Sequence, residues 1–408
     1  MMKNVLIAQS GGPTAAINAT MAGVIDFANE SKEVDKIYGG LNGIKGIIEG
    51  NLIEINHIFN YKENLDLLCQ TPSSALGSCR YKLKNDNAIY GQIIDVFKKY
   101  GIGYFIYIGG NDSMDTVLKL SNYCNQNNLD DIKIMGVPKT VDNDLHVTDH
   151  TPGFGSAAKY IATTVAEIFC DIRVYGVPFV AIVEIMGRNS GWLTTSAALS
   201  GVNDGDSPNL IYIPEVAFDE KKFIEDVKKE LAKRRYVLIA ISEGLKDLNG
   251  AYLCEKMPSR GMEVDAFGHK MLSGSGKYVE QLIIANNLDC KIRGIELSLM
   301  QRAAGHIVSL TDIEESKLLG AKALERALEG YTAEMSIITR ESSNPYKAVI
   351  GSVNVEKVAN YEKTVPLEWL NAEKNNVTKE MIEYLYPLIQ GEYNVLYENG
   401  IPKHIRLY

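Results

Sequence analysis

Asn4-Val5-Leu6-Ile7-Ala8-Gln9-Ser10-Gly11-Gly12-Pro13-Thr14-Ala15-Ala16-Ile17-Asn18 reads as an apolar strand, a turn of paired glycines and the opening of a helix. The strand run shows no polar alternation, which marks a strand buried on both faces of a parallel sheet. From Ala15 to Ala28 the apolar residues recur at helical spacing instead. The same order of strand, Gly-Gly and helix returns at Ile108 to Leu118, with too little further identity for a repeat. Working outward, Tyr104 to Ile108, Ile134 to Val137, Phe179 to Ile185 and Tyr236 to Ser242 read as further buried strands. Asp115 to Asn122, Ala157 to Phe169, Phe223 to Ala232, Lys277 to Ala285 and Asp312 to Leu328 read as amphipathic helices. Short apolar strands alternating with helices build βαβ units on a mainly parallel sheet, so the expected fold class is α/β. Two lobes are expected, one from residues 1–153 with roughly 303–355, the other from 154–302 with roughly 356–408. After about residue 355 the pattern turns polar and irregular, an extension rather than a third domain.

The 408 residues are 46% apolar and 23% charged, values of ordinary soluble domains. A net charge of −9 argues against a nucleic-acid binder, which carries a basic excess, so an anionic ligand needs a locally basic pocket. Cys69, Cys79, Cys124, Cys170, Cys254 and Cys290 form no CxxC pair, leaving neither zinc spacing nor a dense disulfide framework. No apolar run reaches the roughly 18 residues of a membrane span, and the expected location is the cytoplasm.

Three loops at strand ends carry the chemistry. Gln9 to Asn18 offers backbone N–H groups and a helix start, which suit phosphate oxygens, although close packing alone explains many such turns. Gly109-Gly110-Asn111-Asp112-Ser113 adds an acid and a hydroxyl, with a helix cap as the plain alternative. Gly136-Val137-Pro138-Lys139-Thr140-Val141-Asp142-Asn143-Asp144 gathers two acids and a lysine where a buried strand ends. Phosphoryl transfer needs donors and cations around the moving phosphate, a place for Mg²⁺ and a carboxylate beside the attacking hydroxyl. Mg²⁺ takes one or two carboxylates plus phosphate oxygens and waters, so Asp112 and Asp144 are candidate direct or water-mediated partners. Asp142 is the candidate base.

These motifs resemble the phosphofructokinase family. The likeness runs from residue 4 to roughly 310, through Gly11-Gly12, Gly109-Gly110, Thr140 to Asp144, Met186-Gly187-Arg188, Ser242-Glu243-Gly244 and Gln301-Arg302. It implies two Rossmann-like lobes with the active site between them, the first holding the phosphoryl donor and the second the sugar phosphate, in a homodimer or homotetramer. By the same resemblance Asp142 accepts the proton, and Thr140, Val141, Asp142, Met186, Gly187, Arg188, Glu243 and Arg302 bind fructose 6-phosphate. Arg293 reaches the sugar phosphate of a neighbouring subunit. Gly12, Arg80, Asp112 and Lys139 bind the donor, with Lys139, Arg188 and Thr140 assisting catalysis.

The donor inference rests on two positions. ATP-using members carry glycine where this chain has Asp112, and typically another where it has Lys139. An acid fills the space of an α-phosphate, while Lys139 offers a cation to a compact donor. The pattern resembles the pyrophosphate-dependent branch, with an ATP-dependent enzyme and a non-catalytic sugar phosphate sensor as alternatives. Two positions depart from the family: Asn111 stands where an acid is usual, weakening the metal contact there, and Leu299 replaces the His or Tyr three residues before Arg302.

Overall fold

In the computed structural model, which describes residues 2–203, 205, 207–257, 272 and 274–408, the apolar runs become the centres of two sheets. Their strands are β1 (Lys3–Gln9), β2 (Val34–Gly40), β3 (Leu52–Glu54), β4 (Ile102–Gly109), β5 (Lys133–Pro138), β6 (Phe179–Ile185), β7 (Leu210–Tyr212), β8 (Tyr236–Ser242), β9 (Lys291–Glu296), β10 (Glu334–Ser343) and β11 (Tyr346–Asn354). The seven-stranded sheet has the order β11-β10-β5-β4-β1-β2-β3 and the four-stranded sheet the order β7-β8-β6-β9. From β10 to β2 every pairing of the larger sheet is parallel, while β3 and β11 close its edges antiparallel. The smaller sheet is parallel throughout. The expected strands β1, β4, β5, β6 and β8 all form, and β4 is buried along its whole length, as a two-faced strand must be.

The chain divides into two units, Met1–Ser156 with Arg302–Glu362 and Gln390–Tyr408, and Ala157–Gln301 with Lys363–Ile389. Residues 390–408 therefore belong with the first unit, not with the second lobe as expected. The cause is Gln70, a buried amide that the tail satisfies. Its Nε2 donates to the carbonyls of Leu396 (3.0 Å) and Lys403 (2.6 Å), and the Leu396 N–H returns to its Oε1 (2.8 Å).

In the first unit the helices Ile17–Glu30 and Leu310–Leu328 cover one face of the larger sheet, with Val24, Ile25, Leu319 and Ala323 in one apolar core. Their backbones touch: a Cβ on Gly23 would lie 2.0 Å from the Lys317 carbonyl oxygen, and one on Gly320 would lie 2.1 Å from that of Thr20. Only glycine permits that approach. In the second unit Val180, Ile182, Val237, Ile239 and Ile241 of β6 and β8 pack on Phe218 and Phe223, whose rings stand 5.2 Å apart. No described helix is long and apolar enough to cross a membrane.

Candidate functional site

Within the first unit β5, β4 and β1 lie side by side and parallel. The chain leaves β1 for β2 on one side, while β4 and β5 lie on the other. The crevice beyond the carboxyl ends of β1 and β4 is therefore a topological switch point, where open α/β sheets bind ligands. All three loops singled out from the sequence emerge there. They are stitched together: the Ser10 N–H donates to Ile108 O (2.9 Å) and the Lys139 N–H to Gly109 O (2.9 Å). A fourth segment joins them, since the Gly11 N–H donates to Cys79 O (3.2 Å) and Ser78 Oγ to Gly11 O (2.6 Å). That brings Arg80, exposed, to the same edge. The helix after Gly11-Gly12 starts only at Ile17, so the glycines do not open it directly. It is the helix Asn111–Gln126 that starts at once, with Gly110 as its cap and no side-chain capping bond. The plain capping alternative for Asn111, Asp112 and Ser113 thus does not describe their role.

Lys139 is the centre of the charge arrangement. It is 3% exposed, and its Nζ donates to the carbonyl of Gly12 (2.8 Å). Burial pushes its pKa down to about 8, the carboxylates of Asp142 and Asp144 pull it up, and the guanidiniums of Arg302 and Arg80 push it down again. Two acids and three bases thus act on one another around the Gly11-Gly12 turn. Arg302 comes so close that a Cβ on Gly12 would lie 3.0 Å from its Nη1, which explains a glycine at that position. Thr140 Oγ1 accepts the N–H of Asp142 (3.1 Å), bending the chain so that both polar side chains sit half-buried beyond β5, with Val141 buried between them.

Asp112 lies in the first helical turn, paired with Lys82 at 3.4 Å. Lys82 was not singled out, although it stands two residues from Arg80, a spacing that shares a face in extended chain. Asn111 is occupied otherwise: its Oδ1 accepts the N–H of Asn360 (2.5 Å) and its Nδ2 donates to Tyr361 O (2.7 Å). It fastens residues 360–361 to the loop. Gln9 and Asn18 also escaped notice. Their buried amides bond each other (2.8 Å) and hold the 71–76 segment through Thr71 O, the Ala75 N–H and the Leu76 N–H.

Among the described residues no cluster of three or more His, Cys, Asp or Glu is arranged to hold a metal ion. Mg²⁺ bridged by phosphate draws on one or two carboxylates only, which a pair such as Asp112 and Asp144 could supply.

In the second unit Met186, Gly187 and Arg188 follow β6, and Glu243 follows its parallel neighbour β8, with Ile185 in register with Ser242. The backbone fixes both turns: the Glu243 N–H donates to Ile185 O (2.9 Å), Ser242 Oγ to Gly187 O, and the Met186 N–H to Gln301 Oε1 (3.0 Å). Glu243 Oε1 lies 3.4 Å from the Gly187 N–H. Arg293 is exposed on the edge strand β9, which pairs with β6 and sets Arg293 in register with Ala181, before the end of that strand.

Comparison with known proteins decides the family, because the phosphofructokinase pattern matches residues 4–327. The chain belongs to the phosphofructokinase family. It is 38% identical over 410 residues to the pyrophosphate--fructose 6-phosphate 1-phosphotransferase of Halomonas elongata, covering 99% of this chain and 96% of that one. Two crystal structures named as pyrophosphate-dependent phosphofructokinases share its fold at 36% identity. That of Marinobacter aquaeolei has a TM-score of 0.87 and covers 99% of this chain and 95% of its own. That of Nitrosospira multiformis has a TM-score of 0.88 and covers 99% and 96%.

Proposed function

We propose that this phosphofructokinase transfers a phosphoryl group reversibly from pyrophosphate to the 1-hydroxyl of fructose 6-phosphate, giving fructose 1,6-bisphosphate and phosphate. The observation that carries the reading is Lys139, a buried cation pinned to the Gly11-Gly12 turn and flanked by Asp142, Asp144, Arg80 and Arg302. Such a cradle matches a small, highly charged donor. Asp112 adds a negative group in the first helical turn, where a longer nucleotide tail would meet it. The names of the full-length relatives support the same donor.

Asp142 orients the sugar hydroxyl and takes its proton as the new O–P bond forms and the bridging P–O bond of pyrophosphate breaks. A carboxylate, although a weak base, serves, since in a loose transition state the proton leaves late. Lys139, Arg80 and Arg302 offset the charge on the donor oxygens, Lys139 from a buried position where a fixed cation acts most strongly. Thr140 sets the direction of Asp142. Asp112 and Asp144 would hold Mg²⁺, which when bound neutralises donor oxygens; Asn111, with both polar atoms engaged by residues 360–361, serves as an anchor for the loop. Met186, Gly187, Arg188, Glu243, Val141 and Arg302 bind the sugar phosphate. Arg293, exposed on β9, serves a neighbouring copy in a homodimer or homotetramer. Free cysteines fit a reducing cytoplasm.

The test is an assay of purified protein with fructose 6-phosphate and Mg²⁺, with pyrophosphate or ATP as donor. Turnover with pyrophosphate alone is expected; turnover with ATP alone overturns the donor, and none with either overturns the activity.

A further inference from the structure

A second charged cluster lies behind the Thr140–Asp144 loop, and the mechanism above makes no use of it. His150 is 2% exposed and both ring nitrogens face carboxylates, Nδ1 at 2.8 Å from Asp149 Oδ2 and Nε2 at 2.7 Å from Glu315 Oε2. An ionised carboxylate accepts only, so each ring nitrogen must carry a hydrogen and the imidazole is an imidazolium. The carboxylates are themselves held: Arg340 donates to Asp149 from Nε (3.1 Å) and Nη2 (2.9 Å), and Tyr346 Oη donates to Glu315 Oε1 (2.6 Å). The charged and titratable groups facing the ring are therefore Asp149 on its own segment, Glu315 and Asp312 on the helix Leu310–Leu328, Arg340 on β10 and Tyr346 on β11.

This segment is the back wall of the loop that carries Asp142. Thr151 Oγ1 donates to Thr140 O (2.7 Å), and Thr140 and Gly153 form a parallel bridge. Beyond it, Asp312 takes the N–H groups of Gly153 and Ser156, each at 2.9 Å. On the other side the Asp149 N–H donates to Ile338 O (2.9 Å). Remove the positive charge from the ring and one buried carboxylate faces a lone pair, one residue from the hydroxyl that holds Thr140.

We propose that His150, as an imidazolium, is a positioning residue that holds Thr140 and Asp142 in register for phosphoryl transfer. The inference rests on the activity proposed above. Burial pushes the imidazole down, but its two carboxylates outweigh this and raise it to about 9. A base with a raised folded pKa stabilises fully below its unfolded value, near 6.5, and the contribution is lost as pH rises through about 9. Activity should fall over the same alkaline range.

The test compares wild type, His150→Gln and Glu315→Gln, reading kcat, KM for both substrates, the pH profile from 6 to 10 and amide hydrogen exchange of residues 140–144. His150→Gln is expected to lower kcat between about tenfold and a hundredfold, as small misplacements of reacting groups do. Each KM should change less than kcat, and the alkaline fall should flatten. Glu315→Gln should move that fall to lower pH. Exchange of the 140–144 amides should quicken about tenfold in His150→Gln, and in the wild type above pH 9 after correction for intrinsic rates. A variant that melts earlier but keeps wild-type kcat and exchange overturns the inference, as does an alkaline limb unmoved by Glu315→Gln should His150→Gln not fold. A wild type inactive with either donor overturns the activity instead, and the exchange data still decide the role of His150.

Discussion

At the carboxyl edge of the larger sheet the group that burial works against is a lysine, and at that of the smaller sheet it is a glutamate. Lys139, last of the β5 edge, has its pKa lowered to about 8, while Glu184, near the end of β6, has its own raised to about 7, in both cases chiefly by burial. The compensation differs. Around Lys139 it comes from charged side chains on separate loops, the arrangement of a site that must meet a charged ligand. Around Glu184 it comes from backbone, the N–H groups of Gly274 (3.1 Å) and Gly276 (2.5 Å) at the start of the helix Ser275–Ala285, the arrangement of a fixed support. The first edge balances its buried charge with side chains, the second with backbone amides.

The sharpest way to break this contrast is Asp142→Asn. The substitution keeps the shape of the Thr140–Asp142 turn and removes the proton acceptor, so kcat should fall about 10²- to 10⁴-fold with melting temperature nearly unchanged. A loss of stability as large as the loss of rate would make Asp142 a structural residue.

Lys139→Met should come next. A charge pair at 4 Å under an effective dielectric of 20 is worth about 4 kcal/mol, so kcat/KM for pyrophosphate should fall by up to about 10³-fold. The sign of the pH dependence is fixed as well: an amine with a pKa about 8 loses its charge above it, so wild-type kcat/KM should decline as pH rises through 8. In Lys139→Met the decline through 8 should vanish, leaving the fall near 9 that is assigned to His150. Arg188→Ala in the second unit should act on the other substrate, raising KM for fructose 6-phosphate about 10- to 100-fold, the weight of one charged hydrogen bond. If it disturbs the pyrophosphate KM equally, the division of labour between the two edges fails.

How much of this could be read from the sequence follows from burial. β6 and β8 match the apolar runs residue for residue because both faces are covered. β2 carries Asp35 and Lys36, and the edge strand β9 is exposed at Lys291, Arg293 and Glu296, so neither offers an unbroken apolar run. The hairpin β10–β11 alternates half-buried and exposed positions over much of its length and is likewise invisible to a search for buried strands. The helix expected from Asp115 begins at Asn111, since its first turn is made of the polar residues of the candidate site. The loops themselves were legible, because the glycine pairs stand together with clustered charges at strand ends. Their partners were not: Asn111 is held by Asn360 and Tyr361, and His150 by Glu315, contacts that no local spacing encodes.

The smallest effect should come from Glu184→Gln, and its sign is the informative part. An acid whose folded pKa lies near 7 and whose unfolded value lies near 4.5 binds more protons when folded, so this group's contribution to stability falls as pH rises between those values. The slope is about 1.4 kcal/mol per pH unit at most. Glutamine stays neutral at every pH but offers one acceptor oxygen to the two amides of Gly274 and Gly276, so it should be the less stable protein at pH 5. At pH 8 the wild type carries a buried charge, with Glu296 on the adjacent strand raising its pKa further. If burial outweighs the two amide bonds, that deficit should shrink between pH 5 and pH 8 in urea denaturation. If instead the deficit is as large at pH 8 as at pH 5, the amides of Gly274 and Gly276 hold an ionised carboxylate, and the second edge compensates its charge as fully as the first.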